Sequence, residues 1–274
     1  MSDVPESVIF ATTRVQSTFS SEYNPARTWT ATGFFVDCGG WSALVTNRHV
    51  VDPSLTPKLT GWKLERLEIQ VRRGANTEHQ PEVEFVEADL GRSKIICSKE
   101  ADVAAIGVAL VYGEHEHLTF GDIDIANIAD EAFLCERARL MDLASFVSFA
   151  SSGKTTWWDE RWNTPIARLA SLASLPSRPY YNNSIKTADV GLVSGLSFTG
   201  SSGSPLFLHA KGMRNMSVAN ASYQEPKLIG LMSGHWELAD ERAPEMFQHS
   251  GLSYYTRATA IRDVIERLAA IRVR

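Results

Sequence analysis

The sequence predicts a mostly β protein that ends in an α-helix, and three observations support this fold class. Ten short stretches alternate apolar and polar residues, and clusters of Gly, Pro, Asn and Ser separate them, as is typical of strands. Only the last segment has a clear helical spacing of apolar residues. Apolar residues make up 44% of the chain and charged residues 22%, which is typical of a folded globular protein. Because alternation alone does not distinguish a barrel from a sandwich, both remain open.

The predicted strands are short and spread over the whole chain. They cover residues 7–15, 30–36, 43–46, 67–71, 82–86, 103–108, 145–149, 166–172, 205–208 and 227–232. Residues 126–141 show a weaker helical spacing, and we expect a helix there that connects two halves.

The terminal helix is predicted within residues 255–273. Its apolar positions follow three- and four-residue steps, and Arg and Glu occupy the opposite side. These positions are Ala258, Ile261, Val264, Ile265, Leu268 and Ile271.

Charge and composition exclude several classes of protein. The net charge of −5 and the absence of a Lys/Arg-rich run argue against a nucleic-acid partner. The longest nearly apolar stretch, residues 103–112, is too short for a membrane span, which needs about 20 residues. The N-terminus has no basic region ahead of an apolar run, and the three cysteines lack a CxxC spacing. We therefore expect a cytoplasmic protein with reduced thiols and no membrane partner.

The segment FTGSSGSPLF, residues 198–207, has the composition of a nucleophile turn. A catalytic serine needs an exposed hydroxyl and two backbone N–H groups that face the developing oxyanion. Gly200 and Gly203 flank the serines and allow the unusual backbone angles that this arrangement requires. The segment predicts Ser202 as the nucleophile, with the N–H groups of Gly200 and Ser202 as the oxyanion hole. An ordinary Gly/Ser-rich turn is the alternative.

Two further positions have the features of an acid–base pair. His49 follows the apolar strand in LVTNRHVV, and a strand end can hold a general base rigidly at the edge of a cleft. Asp102 leads directly into the apolar run VAAI, so its carboxylate needs a partner if it is buried. That partner is a backbone N–H, an Arg or the imidazole of His49.

Taken together in the order His, Asp, Ser, these blocks resemble those of the trypsin-like (chymotrypsin-fold) serine peptidases. The resemblance is greatest to compact bacterial members without disulfides, which are related to the high-temperature-requirement proteases. It rests on TGFFV…LVTNRHVV, ADVAAI and GSSGSPLF, and extends to WWDERWNTPIARLASLAS, LIGLMSGHW and YYTRATAIRDVIERL. It spans about residues 7–272.

The resemblance implies an all-β fold of two six-stranded antiparallel β-barrels with a C-terminal α-helix. Residues 1–125 would form the first barrel with His49 and Asp102, and residues 126–144 the connection. Residues 145–274 would form the second barrel with Ser202, followed by the helix. The active site would lie in the cleft between the barrels.

The resemblance also assigns a specificity pocket. Leu196, six residues before the nucleophile, would lie at its base, and Ser233, Gly234 and His235 would form its wall. Because Leu196 carries no charge for Lys or Arg and His235 would narrow the pocket, we expect an apolar or small residue before the cleaved bond.

Other features are given less weight. His115 and His117 alternate as two zinc ligands would, but no third ligand lies nearby, so we expect no metal and no cofactor. The tryptophans of residues 157–162 are interpreted either as core or as a substrate or partner surface.

The sequence therefore predicts a serine endopeptidase that acts on a protein or peptide substrate through an acyl-enzyme. Two alternatives remain. One is a binding module that keeps the protease fold without turnover. The other is a protease that is inactive alone and gated by an activating or regulatory protein.

Overall fold

Strands dominate the part of the chain that the computed structural model describes. That part comprises residues 4–56, 59–73, 82–108, 118–119, 121–152, 155–212, 223–240 and 243–272. The fold class is confirmed as mostly β, with one closed six-stranded barrel, a second sheet and a C-terminal helix.

The first half of the chain forms an antiparallel sheet preceded by a short helix. Its helices are α1 (Ser7–Ala11) and α2 (Arg48–Val51), and its strands are β1 (Thr12–Ser21), β2 (Asn24–Asp37), β3 (Ser42–Thr46), β4 (Lys63–Arg73), β5 (Glu82–Glu87), β6 (Lys94–Cys97), β7 (Ala104–Gly107), β8 (Leu118–Thr119) and β9 (Ile123–Asp124). The strand order is β5-β4-β1-β2-β3-β7-β6, with β8 beside β4 and β9 parallel to β2. Nine strands thus pair within the described residues, where the resemblance implied six.

The first predicted strand is wrong in its opening residues. Residues 7–11 form helix α1, and the strand begins at Thr12. At the helix end, the carbonyl of Val8 accepts from both the backbone N–H and the Oγ1 of Thr12, so a side chain reinforces the last turn.

The connection between the halves contains less helix than the sequence predicts. Helix α3 covers only Glu131–Glu136, within the predicted residues 126–141. Asp130 caps it, because its carboxylate accepts from the backbone N–H of Phe133 at 2.7 Å.

The second half of the chain closes into a barrel. Its strands are β10 (Leu143–Ser148), β11 (Ser151–Ser152), β12 (Thr155–Thr156), β13 (Ile166–Leu172), β14 (Val190–Ser194), β15 (Pro205–Leu208), β16 (Lys227–Asp240) and β17 (Ala243–Arg257). The barrel order is β10-β13-β14-β17-β16-β15, and β15 returns to pair with β10. The strands β11 and β12 form a separate hairpin.

Helix α4 (Ala258–Arg272) joins the two halves through one hydrophobic core. It begins after residue 257 because residues 255–257 pair with β14 or β16 as part of β17. Its buried positions Ile261 and Leu268 belong to the same cluster as Val36 and Val103 of the first half. The helix therefore holds the sheet and the barrel against each other, and the candidate site lies where they meet.

Candidate active site

His49 and Asp102 lie side by side because β3 and β7 are paired. His49 belongs to α2, just after β3, and Asp102 immediately precedes the segment that leads into β7. Thr46 pairs with Ala104 in antiparallel register, which brings the end of one strand to the start of the other. The His49 Nδ1 lies 2.7 Å from Asp102 Oδ2, and the His49 backbone N–H donates to Oδ1 at 3.0 Å. Both carboxylate oxygens thus orient the histidine, which leaves Nε2 for proton exchange.

The charge of Asp102 determines the direction in which the pKa of His49 is shifted. Burial alone would lower the pKa of His49, but the charge of Asp102 and its hydrogen bond outweigh burial, so the pKa of His49 is raised. The Asp102 side chain is 8% exposed, so its interaction with the imidazole is little screened by water. A proton accepted by His49 is therefore stabilised.

A buried polar network holds Asp102 from behind. Asn47 Nδ2 donates to the Asp102 carbonyl at 2.7 Å and to Ser233 Oγ at 2.8 Å. Thr256 Oγ1 donates to the same carbonyl at 3.3 Å and lies 2.9 Å from Ser233 Oγ. Ser233, assigned by the resemblance to the pocket wall, is therefore part of this interior network. Thr256 comes from β17, so the barrel helps to position a residue of the first sheet.

Ser202 lies in a tight turn that packs against β2. The flanking Gly200 and Gly203 have φ angles of 87° and 84°, in the left-handed region that favours glycine. The Thr32 N–H donates to the Ser202 carbonyl at 2.8 Å. A Cβ atom at Gly203 would collide with the Thr32 carbonyl oxygen. The turn therefore approaches β2 as closely as backbone atoms allow.

The peptide between Thr199 and Gly200 is held in one orientation. The Thr199 carbonyl of this peptide accepts from the Ser151 N–H at 2.9 Å. In the next peptide, the Gly200 carbonyl accepts from Thr32 Oγ1 at 2.7 Å. Because C=O and N–H point in opposite directions across a trans peptide, the Gly200 N–H faces away from Ser151. Within the described residues, the N–H groups of Gly200 and Ser202 have no protein acceptor. They are thus available to a ligand that carries a negatively charged oxygen.

A single cavity of about 390 Å³ contains both His49 and Ser202. Gly200 and Ser201 also line it, so the cavity includes the turn that carries Ser202. In the described part of the chain, the Ser202 hydroxyl forms no hydrogen bond with His49. Catalytic hydrogen bonds in proteins without substrate are often long and shorten only in the substrate complex.

The structure brings only part of the predicted specificity pocket to this cavity. Gly234 and His235 line it. Leu196 does not, and it is 47% exposed, whereas its neighbour Ser197 lines the cavity. At this point of the chain, the cavity is therefore lined by the hydroxyl residue Ser197 and not by Leu196.

His249 supports His235 from behind, which the sequence did not indicate. The two imidazoles stack with ring centroids 4.4 Å apart and an interplanar angle of 18°. His249 Nδ1 accepts from the Gly251 N–H at 2.8 Å, which places the proton of the neutral ring on Nε2. Burial lowers the pKa of both histidines, although the carboxylate of Glu237 opposes this shift. The stacked pair is therefore uncharged near neutral pH.

The tryptophan-rich segment touches both halves of the chain. Trp157 meets Phe198, a residue that lines the cavity, edge to face at 4.5 Å, and the Arg168 guanidinium lies over both rings. The Asn163 carbonyl accepts from Arg72 of β4 at 3.0 Å. Trp157 is half-buried, and its packing supports the cavity wall.

The described residues lack a metal-binding cluster and a membrane-spanning helix. They contain no group of three or more His, Cys, Asp and Glu side chains placed to hold a metal ion. His115 and His117 lie outside the described residues. The three cysteines form no disulfide with one another, and no described helix is long and apolar enough to cross a membrane.

Comparisons with known proteins identify similar folds only. No family model matches the sequence, and no curated protein matches it. One similar solved structure is described as "Crystal structure of Deg5", with a TM-score of 0.48 and 12% identity over 94% of this chain and 87% of that chain. Another is "Crystal structure of Rv3671c protease, inactive form", with a TM-score of 0.48 and 13% identity over 95% of this chain and 89% of that chain. Because both TM-scores are below 0.5, no functional conclusion is drawn from these two similarities.

Proposed function

We propose that this protein is a serine endopeptidase in which Ser202 is the nucleophile, His49 the general base and Asp102 the residue that orients it. The observation that carries the proposal is the two-point contact of Asp102 with His49 in the cavity that also contains Ser202. The free N–H groups of Gly200 and Ser202 in the same cavity support it. A Gly/Ser-rich turn without catalytic function would not need this arrangement.

In the proposed mechanism, Ser202 Oγ attacks the peptide carbonyl carbon while His49 Nε2 takes its proton. The developing oxyanion is bound by the N–H groups of Gly200 and Ser202. His49 then gives the proton to the leaving amine, and an acyl-enzyme remains on Ser202. Water attacks the ester as His49 takes its proton, and that proton returns to Ser202 Oγ as the acid leaves.

The residue before the cleaved bond is proposed to be small or apolar. His235 on the wall narrows this side of the cavity. Among the described lining residues, the one carboxylate is that of Glu237, which is 53% exposed and lies 3.8 Å from His235 Nε2. It is therefore at the solvent-exposed mouth of the cavity, where water screens its charge. A cleavage profile dominated by Lys or Arg would contradict this preference.

The first test is intact mass after treatment with a fluorophosphonate, which phosphonylates an activated serine as fluoride leaves. We expect one adduct on the wild type and on Ser184→Ala, a change at an exposed serine, but none on Ser202→Ala. Peptide cleavage should fall about 10⁶-fold in kcat for Ser202→Ala. Absence of an adduct on the wild type would favour a binding module with a protease fold. If cell extract then restores labelling of Ser202, the protein is gated by a partner.

A further inference from the structure

The cavity that contains His49 and Ser202 is lined by residues from both halves of the chain. Five lining residues from the first half are apolar, and we call them the aromatic lobe. The aromatic lobe consists of Phe19, Trp29, Ala31, Val50 and Leu59. The other described lining residues of the first half are hydroxyl residues and His49, and none of them is an Asp, Glu, Lys or Arg. The lining from the second half is mixed, because it includes Ser197, His235 and Glu237 beside Phe198, Met232 and Tyr254.

The aromatic lobe is held in shape by ring packing. The rings of Phe19 and Trp29 have centroids 5.5 Å apart, and Trp62 meets the other side of Trp29 edge to face at 6.1 Å. The guanidinium of Arg27 lies 5.8 Å from the Trp62 ring. Phe19 is 2% exposed, whereas Trp29 is 38% exposed. The packing thus fixes the Trp29 indole while leaving a large apolar surface open to the cavity, where an apolar ligand would bury it.

The position of His49 identifies the part of a substrate that would reach this lobe. His49 takes the proton of Ser202 and must then deliver it to the leaving amine, so the leaving part of the peptide lies on the His49 side of Ser202. Val50 follows His49 directly and borders the lobe. An extended peptide advances about 3.3 Å per residue, so side chains of the first two residues after the cleaved bond are within reach.

We propose that the aromatic lobe binds an apolar, preferably aromatic, side chain from one of the first two residues after the cleaved bond, and that Trp29 determines this preference. This inference rests on the proposed peptidase function. It assigns the aromatic lobe and the wall with Gly234 and His235 to opposite sides of the scissile bond.

The test is to digest a peptide library and to identify the residues that follow each cleaved bond by mass spectrometry. We expect aromatic residues and Leu to be enriched after the bond. In Trp29→Ala, the ratio of kcat/KM between matched peptides with Phe and with Gly at that position should fall about tenfold. Trp29→Phe should keep most of the preference. The matched control is Tyr23→Ala, which removes an aromatic ring of the same hairpin that is 90% exposed and outside this cavity.

The outcomes separate failure of the lobe from failure of the peptidase. If the fluorophosphonate labels Ser202 in Trp29→Ala as fast as in the wild type but the preference is unchanged, the lobe proposal is wrong. The same conclusion follows if the wild type shows no apolar enrichment. If Ser202 in the wild type is not labelled and the protein cleaves no peptide, the peptidase proposal fails. A binding experiment with dipeptide amides then tests the lobe proposal. Phenylalanyl-glycinamide should then shift the indole N–H resonance of Trp29, assigned through Trp29→Phe, whereas glycyl-glycinamide should not. If phenylalanyl-glycinamide does not shift the indole N–H resonance of Trp29, the lobe proposal is wrong.

Discussion

Side-chain hydrogen bonds position His49 and Asp102 of the first half, whereas the backbone of a glycine turn positions Ser202 of the second half. Three side chains contact Asp102 or its carbonyl, those of His49, Asn47 and Thr256, and Ser233 joins this network through Asn47. The Ser202 turn depends on backbone angles and on close contact with β2.

This difference implies that substitutions in the two halves impair the site in different ways. In the first half, substitution of one polar group alters protonation while the backbone keeps its path. In the second half, addition of a single Cβ atom displaces the turn itself. Thr32 belongs to the first half but contacts the turn of the second. It does so both through a side-chain hydrogen bond and through close backbone contact.

The largest effect is expected for Gly203→Ala. The new Cβ would meet the Thr32 carbonyl oxygen and Thr46 Oγ1, and the φ angle of 84° is itself unfavourable for alanine. We expect loss of Ser202 labelling by fluorophosphonate and a decrease in the free energy of unfolding of about 3 kcal/mol or more.

The matched control for this change is Gly39→Ala. Gly39 has a similar φ angle of 78°, but a Cβ there has no neighbour within 4 Å. Its expected cost is about 1–2 kcal/mol from the backbone alone, with labelling retained. Equal unfolding midpoints in urea for the two variants would contradict the close contact with Thr32.

The next largest effect is expected for Asp102→Asn. The amide would orient the imidazole in the wrong tautomer and would not stabilise its charge, so kcat should fall about 10⁴-fold with little change in unfolding. Asp89→Asn is the control, because Asp89 accepts only from backbone N–H groups of its own turn. An Asp102→Asn variant that keeps wild-type turnover would exclude Asp102 from the mechanism.

Asp102→Asn should also shift the pH dependence of activity in a defined direction. Only neutral His49 can accept the Ser202 proton, and Asp102 raises the pKa of His49 above its ordinary value of about 6.5. Activity of the wild type should therefore decline, as pH falls, through a midpoint above that value. Removing the charge of Asp102 leaves burial, which lowers the pKa, so the midpoint in Asp102→Asn should move to lower pH. A midpoint that does not move would contradict the electrostatic coupling.

The smallest effect is expected for Thr32→Val, which keeps the shape of the side chain but removes its hydroxyl. Thr32 Oγ1 donates to the Gly200 carbonyl and accepts from the Phe149 N–H at 3.0 Å. Loss of both bonds should cost about 1–3 kcal/mol and slow Ser202 labelling several-fold, because the Gly200–Ser201 peptide, which lies between the N–H groups of Gly200 and Ser202, loses a restraint. In the control Thr12→Val, a buried hydroxyl is lost at the end of α1, and labelling should stay unchanged. Equal labelling rates for both variants would show that Thr32 does not position the turn.

Most of the strands and the terminal helix were predictable because they depend on local periodicity, whereas β14 and β17 were not among the predicted strands. Ser7–Ala11 was misread since a single helical turn and a strand share short apolar runs. His249 had no local signal, because its role comes from a stacking partner that the β16–β17 register places beside it. Leu196 is assigned to the pocket from its distance of six residues before Ser202. That distance does not indicate which of the neighbours Leu196 and Ser197 lines the cavity.

The sequence by itself determined the mostly β fold class, the helical end and the three residue types that a serine peptidase needs. Those features follow from residue chemistry and from spacing along the chain. The tertiary structure alone decided which partner Asp102 has, how the Thr199–Gly200 peptide is turned and where the aromatic lobe lies. Each of these depends on contacts between residues far apart in sequence, such as Thr32 with the Ser202 turn. Such contacts are set by packing of the sheet, the barrel and α4, which no local pattern encodes.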